Sequence, residues 1–264
     1  MITVFVCYNF DSAKDNHKKL LNTLYGKLGL KVVVVVNTKK LQVDMLTRDG
    51  ALVSSKKVEL ANEEMEFSGY YEGIKFVFSE IRDVKEVLFL NDTILSHGKL
   101  RRSESIALKE YIIWRSLFSK ILKNEKKITG FLHKSSYLAG ILNFHKYINS
   151  KFFIVTQLSL SEYGRLFNIG GIDVRLSPLS SYENNIYTCV HYSNFLKSWL
   201  NGGGWYKSNS LNEDNIEFFK AKARSIIHEH YMSDPNNRLF DSIECVMRKS
   251  YIMKAVSKIT GFSY

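Results

Sequence analysis

The sequence is poor in the residues that define several protein classes. It holds two prolines, Pro178 and Pro235, among 264 residues, and 15 glycines. That excludes a collagen-like or proline-rich architecture. Its three cysteines, Cys7, Cys189 and Cys245, are odd in number and far apart, with no CxxC pair. Neither a disulfide framework nor a cysteine zinc site is supported. Apolar runs such as Val32–Val36 are strand-sized, well short of the roughly 18 residues that span a bilayer. MITVFVCYNF has no basic stretch ahead of an apolar one, so a secretory signal is not expected and a cytoplasmic location is. What is present is ordinary globular composition: 45% apolar, 24% charged and 13% aromatic residues, enough to bury a core without metals or disulfides.

Charge is the one global bias. Lys and Arg outnumber Asp and Glu by 37 to 26, and residues 96–151 carry 12 of the bases against Glu104, Glu110 and Glu125. Such a surface suits nucleic acid, anionic lipid or phosphorylated small molecules. No zinc finger, RNP aromatic pattern or helix-turn-helix is visible, so nucleic acid is not the expected partner.

Hydrophobic periodicity predicts alternating strands and helices. Ile2–Cys7 reads as a buried strand, residues 15–28 as a helix ended by Gly29, and Lys31–Val36 as a strand buried on both faces, as in parallel sheets covered by helices. Residues 38–66 are polar and turn-rich, with a short strand near Lys57–Leu60. Helices are expected at Gly69–Ile81, Ser103–Leu122, Ser136–Tyr147, Ser161–Phe167, within Ile186–Leu200, at Asn215–Tyr231 and at Phe240–Ile259. Strands are expected at Glu86–Leu90, Ile128–His133 and Phe152–Gln157. The implied class is α/β, with a mostly parallel sheet flanked by helices. In such sheets ligands bind beyond the carboxyl ends of the strands. That places Tyr8-Asn9, Asn37-Thr38 and Asn91-Asp92 on one rim.

VCYNF, VVVVVNT, EFSGYYEGIKFVFSEI and EVLFLNDTIL, in that order, resemble the donor half of GT-A-fold, family-2-like glycosyltransferases of bacterial O-antigen and capsule synthesis. YINSKFFIVTQLSLSEYGRLF, SNFLKSWLNGGGWYKS and KAKARSIIHEHYMS resemble their acceptor half. The resemblance spans residues 2–235. It implies a catalytic domain over 1–235, with a donor half of about 1–100 and an acceptor half of about 101–235. A basic amphipathic C-terminal helix would follow over 236–264. It further implies transfer of a sugar from a nucleoside-diphosphate donor to a lipid-linked glycan, with inversion, at the inner face of the cytoplasmic membrane, whose anionic surface the basic tail would meet.

Carried over residue by residue, the resemblance puts Tyr8, Asn9 and Asn37 on the nucleotide, and Asn91 and Asp92 at the diphosphate. Gly69 and Glu72 fall near the donor. Asp92 would be the carboxylate for Mg²⁺ or Mn²⁺. Asn91-Asp92-Thr93 carries one acid where many relatives have two, so direct clamping by Lys or Arg is the alternative to a metal. An inverting transfer needs a base opposite the leaving group, and the candidates are Asp173, Glu229 and His230. Each has a plainer reading: a turn for Asp92, a solvated loop acid for Asp173, a helix-surface ion pair for Glu229. On a helix the imidazoles of His228 and His230 point about 200° apart, which excludes a shared zinc. Two rival functions stand beside it: a non-catalytic nucleotide-sugar- or glycan-binding scaffold on the same fold, and a nucleic-acid-binding α/β domain that uses the basic middle segment.

Overall fold

The computed structural model describes residues 1–27, 30, 32–47, 50–59, 65–95, 101–118, 125–134, 146–167, 190–203, 207, 209, 210, 212–234 and 237–249. Eight strands among them form one sheet: β1 (Ile2–Cys7), β2 (Val33–Asn37), β3 (Gln42–Leu46), β4 (Leu52–Lys57), β5 (Glu86–Asn91), β6 (Lys127–Lys134), β7 (Lys146–Thr156) and β8 (Ser242–Cys245). Their order is β4-β3-β2-β1-β5-β7-β6-β8. The helices are α1 (Asp15–Asn22), α2 (Glu66–Glu80), α3 (Arg102–Phe118), α4 (Leu160–Phe167), α5 (Val190–Ser198), α6 (Ile216–Met232) and α7 (Val246–Lys249).

The layers follow from strand periodicity. Alternate residues of each central strand point to opposite faces, and both faces are apolar. Val4, Val6, Val34, Val36, Val87 and Phe89 pack under α2, α4 and α6. Phe5, Cys7, Val33, Val35, Leu88 and Leu90 pack under α1, α3 and α7. The first face is aromatic-rich: Tyr70, Phe89, Phe153 and Phe167 pack ring to ring at centroid distances of 4.9–6.2 Å. Gly73 lets α2 approach the sheet, since a Cβ there would lie 2.5 Å from Val4 Cγ1 and 2.9 Å from Val36 Cγ2.

The α/β class stands, and several expectations change. The sheet is mixed rather than mostly parallel: β1–β2, β1–β5 and β6–β8 are parallel, while β2–β3, β3–β4, β5–β7 and β6–β7 are antiparallel. Residues 42–57 are not a polar connection but a hairpin. Val43 and Met45 face the core while Asp44 faces out, a five-residue alternation too short to stand out. Tyr147 belongs to β7, which starts at Lys146, not to a helix; residues 135–145 lie outside the described residues. The chain over 242–245 is a strand before it is a helix, because pairing with β6 overrides its helical spacing. α7 is described to Lys249, and the rest of the expected basic tail lies outside the described residues. Among the described residues no helix is long and apolar enough to cross a membrane.

Candidate functional site

Parallel registers bring three strand ends level. Cys7 pairs with Asn37 across β1–β2, and Val6 with Asn91 across β1–β5. Beyond those ends the backbone is tied together: Thr38 N–H donates to Cys7 O at 3.0 Å and Lys39 N–H to Tyr8 O at 2.8 Å. The Tyr8 N–H donates to Asp92 Oδ2 at 2.9 Å, linking the end of β1 to that of β5. The buried Asn37 amide donates to Phe10 O at 3.2 Å. Asn91, 3% exposed, accepts from the Thr93 N–H and hydroxyl through Oδ1. This asparagine turn launches a single 3₁₀ turn, Asp92–Leu95. The asparagines therefore set the rim's backbone, and Asp92 is the charge it presents.

A cleft of about 470 Å³ opens on this rim. Tyr8, Thr38 and Asp92 line it from the strand ends, Glu66 from the first turn of α2, and Phe218 and Lys222 from α6. Lys207 adds a second ammonium group to the lining and lies 5.6 Å over the Phe218 ring. Tyr8 and Phe218 are 65% and 44% exposed, unusual for aromatics and suited to stacking on a planar ring. The cleft thus combines aromatic faces, two ammonium groups for an anion and two carboxylates.

Behind the cleft, Glu66 belongs to a small acid network. Ser150 Oγ lies 2.7 Å from Glu66 Oε1 and 2.6 Å from Glu229 Oε1. The Ser150 N–H also donates to Glu229 Oε1 at 2.8 Å, and Ser225 Oγ donates to Glu66 Oε1 at 3.2 Å. A serine hydroxyl owns one hydrogen, so Ser150 shares it between the two carboxyl groups as a three-centre bond. Burial holds Glu229 above the usual carboxyl range, with Lys222 and Ser150 opposing the shift.

A carboxyl raised in the folded state adds stability that is fully present below its unfolded value and is lost as pH rises through its folded one. Glu229→Gln mimics the protonated form. The variant is expected to flatten the fall in melting temperature across that window, measured from pH 4 to 8 by calorimetry. An unchanged profile would show that the burial of Glu229 does not set the pH dependence.

The remaining expected residues are dispersed. Asn9 follows Tyr8 and is partly buried. Gly69 faces the sheet, where a Cβ would meet Val6 Cγ1 at 2.6 Å, so it is a packing position. Glu72 pairs with Lys75 at 2.5 Å, nearly two turns of α2 beyond Glu66. His230 is 2% exposed, bonded to the Tyr192 hydroxyl and set edge-on to Tyr147 at 4.7 Å. Burial lowers its pKa to about 3, which leaves a neutral core imidazole. Asp173 lies outside the described residues. Glu66, Ser150, Phe218, Lys207 and Lys222 escaped the sequence reading. Glu66 had one local signal, an acid in the first turn of the helix that carries the glycines.

Among the described residues no group of three or more His, Cys, Asp or Glu side chains is placed to hold a metal ion. Asp92 and Glu66 share the cleft lining, and carboxylate oxygen is the donor type that Mg²⁺ and Mn²⁺ prefer. A scan against protein-family models and searches of curated proteins and of solved structures return no match.

Proposed function

We propose that this chain is a glycosyltransferase with a GT-A-like scaffold. It moves a sugar from a nucleoside-diphosphate donor to a lipid-linked glycan acceptor in bacterial surface-polysaccharide synthesis, at the inner face of the cytoplasmic membrane. The observation that carries the reading is Asp92, fixed by the Tyr8 N–H at the strand-end rim, in a cleft that also holds two lysines and two exposed aromatics.

In this reading Tyr8 and Phe218 offer ring faces for the base or the sugar. Lys207 and Lys222 neutralise the diphosphate as it departs, the moment at which fixed positive charge accelerates the reaction. A divalent ion, when bound, would offset charge between Asp92 and the diphosphate oxygens. The anomeric carbon–oxygen bond to the diphosphate breaks, and its electron pair leaves with the phosphate. The acceptor oxygen forms the new bond and passes its proton to Glu66, the second carboxylate of the cleft lining. Ser150, which bonds both Glu66 and Glu229, positions Glu66. Direct displacement of this kind inverts the anomeric centre.

The test is titration calorimetry of the full chain with UDP, GDP, CDP and dTDP, with and without Mn²⁺. One of them is expected to bind with micromolar affinity and to lose that affinity in Lys222→Ala. Absence of heat with all four would overturn the reading.

A further inference from the structure

The geometry points to the β2–β3 turn as a docking surface for an anionic lipid bilayer beside the cleft mouth. The turn spans residues 38–41, between Asn37 of β2 and its pairing partner Gln42 of β3. Its first residue, Thr38, lines the cleft. Leu41 closes it, joined to the end of β4 where the Val58 N–H donates to Leu41 O at 2.9 Å.

Leu41 is odd in two independent ways. Its side chain is 44% exposed, and its backbone is left-handed, with φ 49°. That conformation is easy for glycine and asparagine and strained for leucine. Strain of this kind gathers at functional positions, and here it presents an apolar side chain to the outside.

Four lysines lie close to it in the hairpin. Lys39 and Lys40 precede it in the turn, and Lys56 and Lys57 end β4 opposite Val43 and Gln42. All four are exposed. Among the described residues none of them pairs with an acid. The nearby Asp44 carboxylate accepts from Gln42 and Ser55 at 2.6 Å each. Side chains alternate along β4, so Lys56 and Lys57 reach past opposite faces of the sheet around Leu41.

An exposed apolar residue flanked in the turn and on the paired strand by exposed ammonium groups matches a lipid headgroup layer: the charges meet phosphates and the leucine enters the acyl boundary. A nucleic acid would use the lysines and leave the leucine idle. Docked in this way, the molecule holds its cleft mouth against the bilayer. As an account of how an acceptor is reached, the inference rests on the proposed function; as an account of docking, it stands on the hairpin alone.

Co-sedimentation with vesicles tests it, comparing phosphatidylcholine alone with a mixture containing about one-third phosphatidylglycerol. The full chain is expected to bind only the mixed vesicles. Exchanging Lys39, Lys40, Lys56 and Lys57 for glutamine should weaken that binding at least a hundredfold, from about fivefold per lysine. Leu41→Asn should weaken it by about tenfold while raising the melting temperature by about 2–4 °C through relief of strain. Wild-type binding by the lysine variant would overturn the proposal. So would an asparagine variant that binds vesicles fully, because charge alone would then suffice, as for any polyanion. Nucleotide titration of the same variants separates the two claims. Docking without nucleotide affinity removes the transferase reading and keeps the surface, whereas nucleotide affinity without docking does the reverse.

Discussion

Replacing Asp92 by Asn is expected to lower sugar transfer by two to three orders of magnitude, the scale set by removing one electrostatic contact to a developing charge. The fold should survive. An asparagine carbonyl oxygen can still accept the Tyr8 N–H that Asp92 Oδ2 accepts at 2.9 Å, so the tie between β1 and β5 is kept while the charge is lost. A second readout needs no substrate. Burial, with the Asp92 carboxylate next in weight, pushes the Cys7 thiol up to about 12. In Asp92→Asn the Cys7 pKa should fall, though burial will keep it above the ordinary thiol value, and alkylation rate against pH would record the change. A variant with a lowered thiol pKa, an unchanged melting temperature and full activity would remove Asp92 from the chemistry.

The largest effect on stability is expected from the smallest substitution. Gly73→Ala would place a methyl group 2.5 Å from Val4 Cγ1 and 2.9 Å from Val36 Cγ2. Both valines are fully buried β-branched residues on adjacent strands, and branching at Cβ restricts how far each can rotate away. Alanine gains about 1 kcal/mol over glycine in helix propensity. Overpacking a filled core costs about 1–3 kcal/mol, and more where the backbone must move. Separating α2 from two strands at once belongs at the upper end, so a net loss of about 2 kcal/mol is expected, or roughly 4–8 °C in melting temperature. The control is Gly26→Ala, where nothing lies within 4 Å and the same change should stabilise slightly. Val4→Ala placed on Gly73→Ala should recover part of the loss, because it removes the methyl group that collides. Additivity of the two destabilisations would refute the steric account.

The contrast between these two positions shows what the sequence disclosed. The strand ends were legible because each is a run of valine, leucine or phenylalanine stopped by Asn or by Tyr-Asn, and a parallel pairing brings such stops to one level. Asp92 could be placed on the rim from that pattern alone. Gly69 could not be read correctly: a glycine near a ligand and a glycine against a valine look alike until Val6 is seen beneath it. Glu229 and His230 are neighbours in the chain, yet one reaches Ser150 and the other an aromatic cage. Adjacent residues on a helix diverge by about 100°, and the sequence does not say what each meets. Glu66 and Ser150 are 84 residues apart, and no local spacing links them. The β3–β4 hairpin was hidden for the opposite reason. One of its strands is an edge, largely exposed, so it carries almost no apolar pattern to detect.

The parallel pairing of β8 with β6 has a consequence for how the chain is made. Lys126 N–H donates to Asp241 Oδ2 at 2.9 Å across 115 residues of sequence, and Lys127 meets Glu244 at 3.1 Å. A ribosome at about 5–20 residues per second therefore exposes the open border of β6 for several seconds before its cover is synthesised. During that interval neighbouring nascent chains on a polysome compete for the same hydrogen bonds, so slow translation through residues 135–240 should favour aggregation, and a chaperone that shields β6 should relieve it.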